Sequence, residues 1–166
     1  MSNIIQLSDF VGEYELPTSK YMDKQPYLDR YEKEYLIYLL GAELYKLFIA
    51  DLDVNGEPQT PIYQNIYNSF EEDDYHCVRY SEGMKLAIVQ VVYFYLVRDL
   101  PVNKTNTGIV FNDNETAKGP YYNGFNIVEA YNQGIKNLRE IQWYICENMT
   151  DYPDFNGQRL DFNAGL

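Results

Sequence analysis

The chain has 166 residues, which is enough for one ordinary domain with a buried core. Its 13 basic and 25 acidic residues give a formal net charge of −12, and this acidity argues against a surface that grips DNA, RNA or anionic lipid, because those partners need clustered positive charge. The beginning of the chain has neither a basic stretch nor a long apolar run, so we expect no signal peptide. The 18 tyrosines suit either a tyrosine-filled helical core or subunit contacts.

The first periodic segment predicts helix between Tyr27 and Leu52. Apolar and aromatic residues recur there at steps of three and four, which is the spacing of one helix face. Glu32 and Lys33 are assigned to the opposite, polar face. Gly41 interrupts the run and predicts a kink or a break between two helices.

Turns and a shorter helix follow. Asn55-Gly56 is a strong turn pair, and Thr60-Pro61 resembles a cap and the first residue of a short helix, PIYQNIYNSF. The acidic run Glu71–Asp74 is predicted to be a solvated connection.

The most apolar segment predicts the centre of the protein. The stretch LAIVQVVYFYLV (86–97) contains one polar residue, Gln90, and is too short to span a bilayer, which needs about 20 residues. Its β-branched residues are compatible with a strand, but its length and its lead-in favour a helix. A helix that is apolar all round belongs in the middle of a bundle.

A long polar connection is predicted at 102–126. It contains one apolar triplet, Ile109, Val110 and Phe111. Short β-prone runs flank the polar stretch NDNETAKGP, so the connection is either a long loop or a hairpin arm.

The C-terminal part predicts one more helix and a tail. Apolar residues at helical spacing run from 127 to 149, and Pro153 ends the pattern. The tail, 153–166, lacks periodicity but carries apolar side chains that would be wasted on a solvated end. We therefore expect an all-α fold, a small bundle of four or five helices in a single domain at 1–152, with a long loop or hairpin arm at 102–126 and an extended C-terminal tail.

No pattern in the sequence predicts catalysis, a cofactor or a metal. Residues 51–56 match the first half of an EF-hand calcium loop, but the twelfth position is Ile62 instead of an acid. His76 and Cys77 are neighbours and Cys146 is distant, which supplies neither a zinc site nor a disulfide framework and disfavours a Cys–His nucleophile pair. No glycine-rich phosphate loop occurs. We expect no catalytic residue, no cofactor and no metal ligand.

Several segments together resemble a known family. The stretch YLDRYEKEYLIYLLGAELYKLF (27–48) is similar to the start of small head-to-tail connector, or adaptor, proteins of tailed bacteriophages. The resemblance continues through MKLAIVQVVYFYLV (84–97) and NTGIVFNDNETA (106–117), and then through the last helix into the tail. It covers most of residues 20–166 and is closest to the connectors of Bacteroides-infecting, crAss-like phages and prophages. The shared features are soft patterns of apolar, aromatic and asparagine residues.

The resemblance implies a structural virion protein that carries out no reaction. Such a protein is a small helical subunit of a homo-oligomeric ring, commonly of twelve copies, that docks on the portal protein and contacts the next ring of the neck or tail. Genomic DNA passes through the channel without specific binding, no membrane is involved, and assembly takes place in the cytoplasm of the bacterial host. An acidic channel would repel phosphates, and a tyrosine-rich surface suits the repeated contact of a closed ring.

The loop and the tail are expected to make the contacts of such a ring. The candidate interface residues are Ile109, Val110, Phe111, Phe155, Leu160, Phe162 and Leu166. The tail can reach roughly 45 Å if extended, which is far enough to leave its subunit and add a strand to a neighbour. The alternative is a tail that folds back on its own bundle.

Two other classes of function remain open. An acidic decoy that mimics DNA, or another regulatory binding protein, would carry acids spaced like phosphates along one face. A small helical enzyme with an unrecognised site would show a cleft with a perturbed acid. The connector hypothesis predicts instead that acids concentrate on one side of a ring and that a tail leaves the domain.

Overall fold

The computed structural model describes residues 3–16, 23–75, 77–99, 102–105, 108–111 and 124–162. The helices of this described part are α1 (Gln25–Leu40), α2 (Ala42–Asp51), α3 (Pro61–Tyr67), α4 (Met84–Asp99) and α5 (Gly124–Glu147). The strands are β1 (Phe70–Asp74), β2 (Cys77–Ser81), β3 (Val102–Thr105) and β4 (Gly108–Phe111), and two 3-10 turns, Leu7–Asp9 and Gly12–Tyr14, precede α1. None of the described helices is both long and apolar enough to cross a membrane.

The central position of α4 follows from its apolar sequence. It packs along α5 and also against α1. The four consecutive residues 88–91 point to different sides of α4 and are each at most 2% exposed, as expected for a helix without a polar face. The predicted central helix is confirmed.

Gly41 separates the first helical run into α1 and α2. Its φ of +80° lies in the left-handed region, which glycine adopts without the steric cost that a side chain imposes. The Gly41 N–H still donates to the Ile37 carbonyl at 2.8 Å and closes the last turn of α1. The predicted interruption is therefore a break between two helices.

The expected fold is confirmed in part: the described residues form five α-helices, within the predicted four or five, but two antiparallel hairpins accompany them, so the fold is not purely all-α. The acidic run Glu71–Asp74, predicted as a solvated connection, lies in β1 and pairs with β2 in a register that joins Glu72 to Arg79. Pairing satisfies the backbone hydrogen-bonding groups of the run that face β2, while most of its acidic side chains stay exposed. The fold is mostly helical with small β-hairpins.

The second hairpin, which we call the arm (102–111), lies in the connection where a loop or hairpin was predicted. β3 and β4 pair antiparallel, with Lys104 opposite Ile109. Both strands precede the polar stretch NDNETAKGP, so they do not flank it as expected. Among the described elements, each strand of the arm has the other as its main neighbour.

The described part of the tail, 153–162, lies against the chain's own bundle. Leu160 is buried in the common core, and Phe155 packs against that core. The expectation that the tail leaves the domain at residue 152 is thus corrected for these residues, while 163–166 fall outside the described part. The physical reason is that carbonyl groups at the end of α1 accept hydrogen bonds from the tail backbone.

Candidate interaction surface

The predicted interface residues of the connection lie in the arm. Ile109, Val110 and Phe111 all belong to β4, where they pair with Lys104, Asn103 and Val102. The structure thus brings the triplet together on one strand of a hairpin.

The predicted interface residues of the tail have different environments. Leu160 is 4% exposed and serves the protein's own core. Phe155 is half-buried against the same core. Phe162 is 50% exposed, and the Arg139 guanidinium lies 4.9 Å from its ring centroid. Of these three, only Phe162 keeps a large exposed surface, and Leu166 lies outside the described residues.

The tail is held by hydrogen bonds to the C-terminal end of α1. The last carbonyls of a helix have no partner within the helix. The Asn156 N–H donates to the Leu40 carbonyl at 3.3 Å, and the Gln158 N–H donates to the Tyr38 carbonyl at 2.7 Å. Gln142 of α5 donates through Nε2 to the Gln158 carbonyl at 2.8 Å. The tail therefore acts as a cap for α1.

The β1–β2 hairpin carries the most prominent cluster of exposed apolar side chains. Tyr75 at its turn is 99% exposed, Val78 is 53% exposed and Tyr80 is 42% exposed. Val78 and Tyr80 are two residues apart on β2 and so share one face. Exposed apolar groups gathered on one hairpin are typical of a contact surface.

Ion pairs fix this hairpin to α5. Arg79 bonds Asp74 of β1 at 2.9 Å and Glu140 of α5 at 3.2 Å, and its guanidinium lies 4.8 Å from the Trp143 ring centroid. The Lys136 ammonium donates to the Tyr80 hydroxyl at 3.1 Å. These contacts hold the β1–β2 hairpin against α5.

Sequence analysis missed this surface. The available signal was the alternation of larger and polar side chains in Cys77–Ser81, next to a run that contains Phe70. The four consecutive acids between Phe70 and Tyr75 hid it, because acidic residues are depleted in strands.

Acidic residues concentrate in one stretch of the chain. Residues 42–78 contain eight acidic side chains and one basic side chain, Lys46. The Lys46 ammonium already pairs with Glu43 at 2.7 Å. This stretch of the sequence therefore has a formal net charge of −7.

A tyrosine cluster joins three helices. The Tyr35 hydroxyl of α1 lies 2.8 Å from the Tyr95 hydroxyl of α4 and 3.0 Å from the Tyr131 hydroxyl of α5. The Tyr31 ring stacks on the Tyr95 ring at a centroid distance of 4.3 Å. Burial raises the pKa of Tyr35, and its hydrogen bonds with Tyr131 and Tyr95 add to this shift. These tyrosines are packed and paired within the bundle, so part of the aromatic excess is core.

The segment that resembles a calcium loop uses its carboxylates within the loop. Asp51 accepts hydrogen bonds from the Gln59 and Thr60 N–H groups, both at 2.8 Å. Desolvation opposes ionisation of Asp51, but a hydrogen bond from the Thr60 hydroxyl, together with these two N–H bonds, outweighs it and lowers the pKa of the carboxyl. Asp53 accepts from the Glu57 N–H at 2.9 Å, and this bond contributes most to lowering its pKa.

The other residues considered for metal binding or catalysis form no common site. Cys77 and Cys146 are both exposed free thiols, and His76 lies outside the described residues. Within the described ranges, no group of three or more histidine, cysteine or acidic residues is arranged to hold a metal ion.

Comparison of the chain with protein-family models, with curated proteins and with solved structures yields no match.

Proposed function

We propose that the protein is a structural subunit of a ring, twelve copies in number, in the neck of a tailed-phage virion. The ring docks on the portal and contacts the next ring of the neck or tail. It assembles in the cytoplasm of the bacterial host, carries out no reaction and lets genomic DNA pass without specific binding. The observation that carries the proposal is the presence of two separate hairpins on one small helical bundle.

A closed ring requires two different contact surfaces on each subunit, because each copy meets its neighbours head to tail. The arm begins just after α4 ends, and Tyr95 in the last turns of α4 contacts Tyr131 of α5. The β1–β2 hairpin is bound further along α5, at Glu140. Tyr131 and Glu140 are about 14 Å apart along a helix. The two hairpins therefore offer distinct surfaces for two neighbours.

The charge distribution supports the same proposal. DNA that moves through a channel must not stick to the wall, and a negative wall repels the phosphates. The acidic stretch 42–78 supplies such a wall in the proposed ring. The exposed aromatic and aliphatic groups of the β1–β2 hairpin supply apolar contact to a neighbouring copy or ring.

The test uses assembled particles, because connector rings commonly need the portal as a template. Particles are produced with the wild-type chain, with Val78→Lys or with Val54→Lys. Val78 is on the exposed face of the hairpin, and Val54 is an exposed valine in the loop after α2, so both variants gain one exposed charge. We expect the wild type and Val54→Lys in purified particles at equal amounts, and Val78→Lys reduced at least tenfold, that is, by about 1.4 kcal/mol or more of contact free energy.

Absence of the wild-type chain from purified particles would overturn the proposed function. Equal incorporation of Val78→Lys and Val54→Lys would leave the chain in the virion but remove the β1–β2 hairpin from the contact surface. Negative-stain images of the neck from wild-type particles then decide between a ring and another arrangement.

The acidic strand favours one second candidate, a decoy or regulatory protein that mimics DNA. Side chains on one face of a strand follow each other at about 7 Å, so Glu71 and Asp73 form a regular negative row. Such a protein would be recovered in complex with a basic DNA-binding protein and would be absent from particles. The particle experiment therefore distinguishes the DNA mimic from the ring subunit.

A further inference from the structure

Glu32 is a buried carboxyl group with one oxygen satisfied and one oxygen unsatisfied. Glu32 is only 3% exposed. It therefore lies on the buried face of α1, whereas the sequence predicted it on the polar face. Oε1 accepts a hydrogen bond from the Ile4 N–H at 2.9 Å, and the Ile5 N–H also donates to the carboxyl. Oε2 is buried without a hydrogen-bond partner among the described residues. A buried charge in this position lacks the pairing that normally compensates for lost hydration.

Residues 3–16, which we call the strap, lie across the bundle and depend on this carboxyl. Ile4 and Ile5 are fully buried beside it, and Phe10 further along is also part of the core. Ile4 and Ile5 precede the two 3-10 turns of the strap, so their backbone N–H groups must find other partners. Glu32 provides them at the beginning of the strap.

Two further contacts hold the rest of the strap on α4. The Lys85 ammonium pairs with Asp9 at 3.0 Å. The Gln90 Nε2 group donates to the Tyr14 hydroxyl at 3.0 Å in a partly buried position. These contacts keep the distal part of the strap in place, so a change at Glu32 acts mainly on its first residues.

The charges around Glu32 do not neutralise it. Asp29 on the same helix and Asp9 on the strap both disfavour its ionised form. The nearby groups on the other packed elements are phenols, Tyr45 of α2 and Tyr67 of α3, which bring no positive charge.

The basic residues nearest to Glu32 line the same cavity. Arg30 and Lys33 of α1 lie there with Glu32 and Asn3, in a cavity of about 420 Å³. Neither is hydrogen-bonded to the unsatisfied oxygen, Oε2. Burial therefore has the largest effect and raises the pKa of Glu32 to about 7, against the lowering effect of the Ile4 and Ile5 N–H groups.

We propose that Glu32 is a proton-operated latch that holds the first residues of the strap on α1 when it is protonated and loosens them when it ionises. In the protonated form, Oε1 still accepts the N–H groups and no charge is buried. In the ionised form, the charge without a partner on Oε2 favours a state in which water reaches the carboxyl. That state requires Ile4 and Ile5 to move away from α1.

The direction of the pH effect follows from the two protonation equilibria. When the strap is undocked, the carboxyl is hydrated and has its ordinary pKa of 4.5, whereas docking raises the pKa to about 7. The docked state binds the proton more tightly, so docking is strongest at low pH and weakens as pH rises from 4.5 towards 7. Between pH 6 and pH 8 the docking equilibrium constant is expected to fall about tenfold.

The test is amide hydrogen exchange in the full chain at pH 6 and pH 8, corrected for the intrinsic exchange rates. We expect protection of the Ile4 and Ile5 amides to fall about tenfold at pH 8. Amides in the middle of α4 serve as the internal reference. In Glu32→Gln, which keeps a carbonyl acceptor but cannot ionise, this loss should disappear. The matched control is Glu43→Gln, which removes an exposed charge and should behave as the wild type.

Protection that is equal at both pH values in the wild type would overturn the latch, as would an identical loss in Glu32→Gln. A second measurement does not depend on the folding of any variant. The Glu32 side-chain carboxyl carbon is followed by NMR through a pH titration of the wild type. A midpoint near 7 is expected, and a midpoint near 4.5 would contradict the proposal.

Discussion

The strap and the described tail are two irregular segments that cover the same bundle by different means. Both bury apolar side chains, Ile4 and Ile5 in one case and Leu160 in the other. The tail is attached through uncharged backbone groups at the end of α1, whereas the beginning of the strap is attached to the carboxyl of Glu32. Burial alone therefore does not define how such a segment responds to its surroundings. The titratable or neutral character of its hydrogen-bond partner decides whether attachment depends on pH.

Removal of the tail is expected to have the largest effect. Deletion of residues 154–166 removes the buried Leu160 side chain and two backbone hydrogen bonds to α1. The free energy of unfolding should fall by about 4 kcal/mol, and the melting temperature by roughly 10 °C. Thermal unfolding followed by circular dichroism measures this change.

The matched control for the deletion is Phe162→Ala. Phe162 is half-exposed and contacts Arg139, so its loss should change stability by less than about 1 kcal/mol. A deletion variant that melts at the wild-type temperature would show that the tail is not part of the core. The tail could then no longer be compared with the strap as a buried segment.

Local periodicity explains which elements sequence analysis could predict. The central helix is apolar all round and the last helix buries residues at helical spacing, and this information lies within each segment. The β1–β2 hairpin depends on contacts distant in sequence, such as Arg79 with Glu140. A run of four acids does not predict a strand on its own, because its pairing is stabilised by groups on α5.

The attachment of the two irregular segments was not visible in the sequence for a similar reason. The tail contains apolar residues that predict burial somewhere. The side-chain pattern, however, gives no information about the backbone carbonyls at the end of α1 that accept hydrogen bonds from the tail. Glu32 stands four residues after Leu28 on the buried stripe of α1, yet its charge led to a polar-face assignment. Its partner, Ile4, is 28 residues away. The three candidate interface residues in the arm are consecutive in sequence and lie on β4. Their role in a contact stays a prediction.

A pair of glycine substitutions, one in the tail and one in the strap, tests how closely each segment contacts the bundle. A Cβ atom at Gly157 of the tail would lie 2.3 Å from the Leu39 carbonyl oxygen, so the tail must move away from α1. We expect Gly157→Ala to cost about 2 to 3 kcal/mol. A Cβ atom at Gly12 of the strap meets no atom within 4 Å, and only its φ of +63° is unfavourable. Gly12→Ala should therefore cost about 1 kcal/mol.

Urea unfolding of the two glycine variants measures the difference. The comparison fails if Gly12→Ala loses as much stability as Gly157→Ala, because the tail would then not be in the close contact with α1 that the structure describes.

The pH dependence of stability that Glu32 confers is expected to be smaller than the effect of the tail deletion. Its pKa is raised from 4.5 to about 7, so the folded chain binds this proton more tightly than the unfolded chain does. The resulting stabilisation is complete below pH 4.5 and is lost as pH rises towards 7. Glu32→Gln removes the proton equilibrium. Relative to the wild type, the variant should therefore be more stable at pH 8 than at pH 5 by about 2 kcal/mol.

Urea unfolding at pH 5 and pH 8 measures this difference between the wild type and Glu32→Gln, and any constant effect of the amide cancels because it is present at both pH values. Gly157→Ala is the matched variant on the tail, where neutral groups make the contacts with α1. Its loss of stability should be the same at pH 5 and pH 8. If the effect of Glu32→Gln is equally constant, the carboxyl does not titrate between these values and the strap is attached as independently of pH as the tail. If instead only the effect of Glu32→Gln on stability differs between pH 5 and pH 8, the attachment of the strap depends on pH and that of the tail does not. The ionisable side chain of Glu32 then accounts for this difference between the two segments.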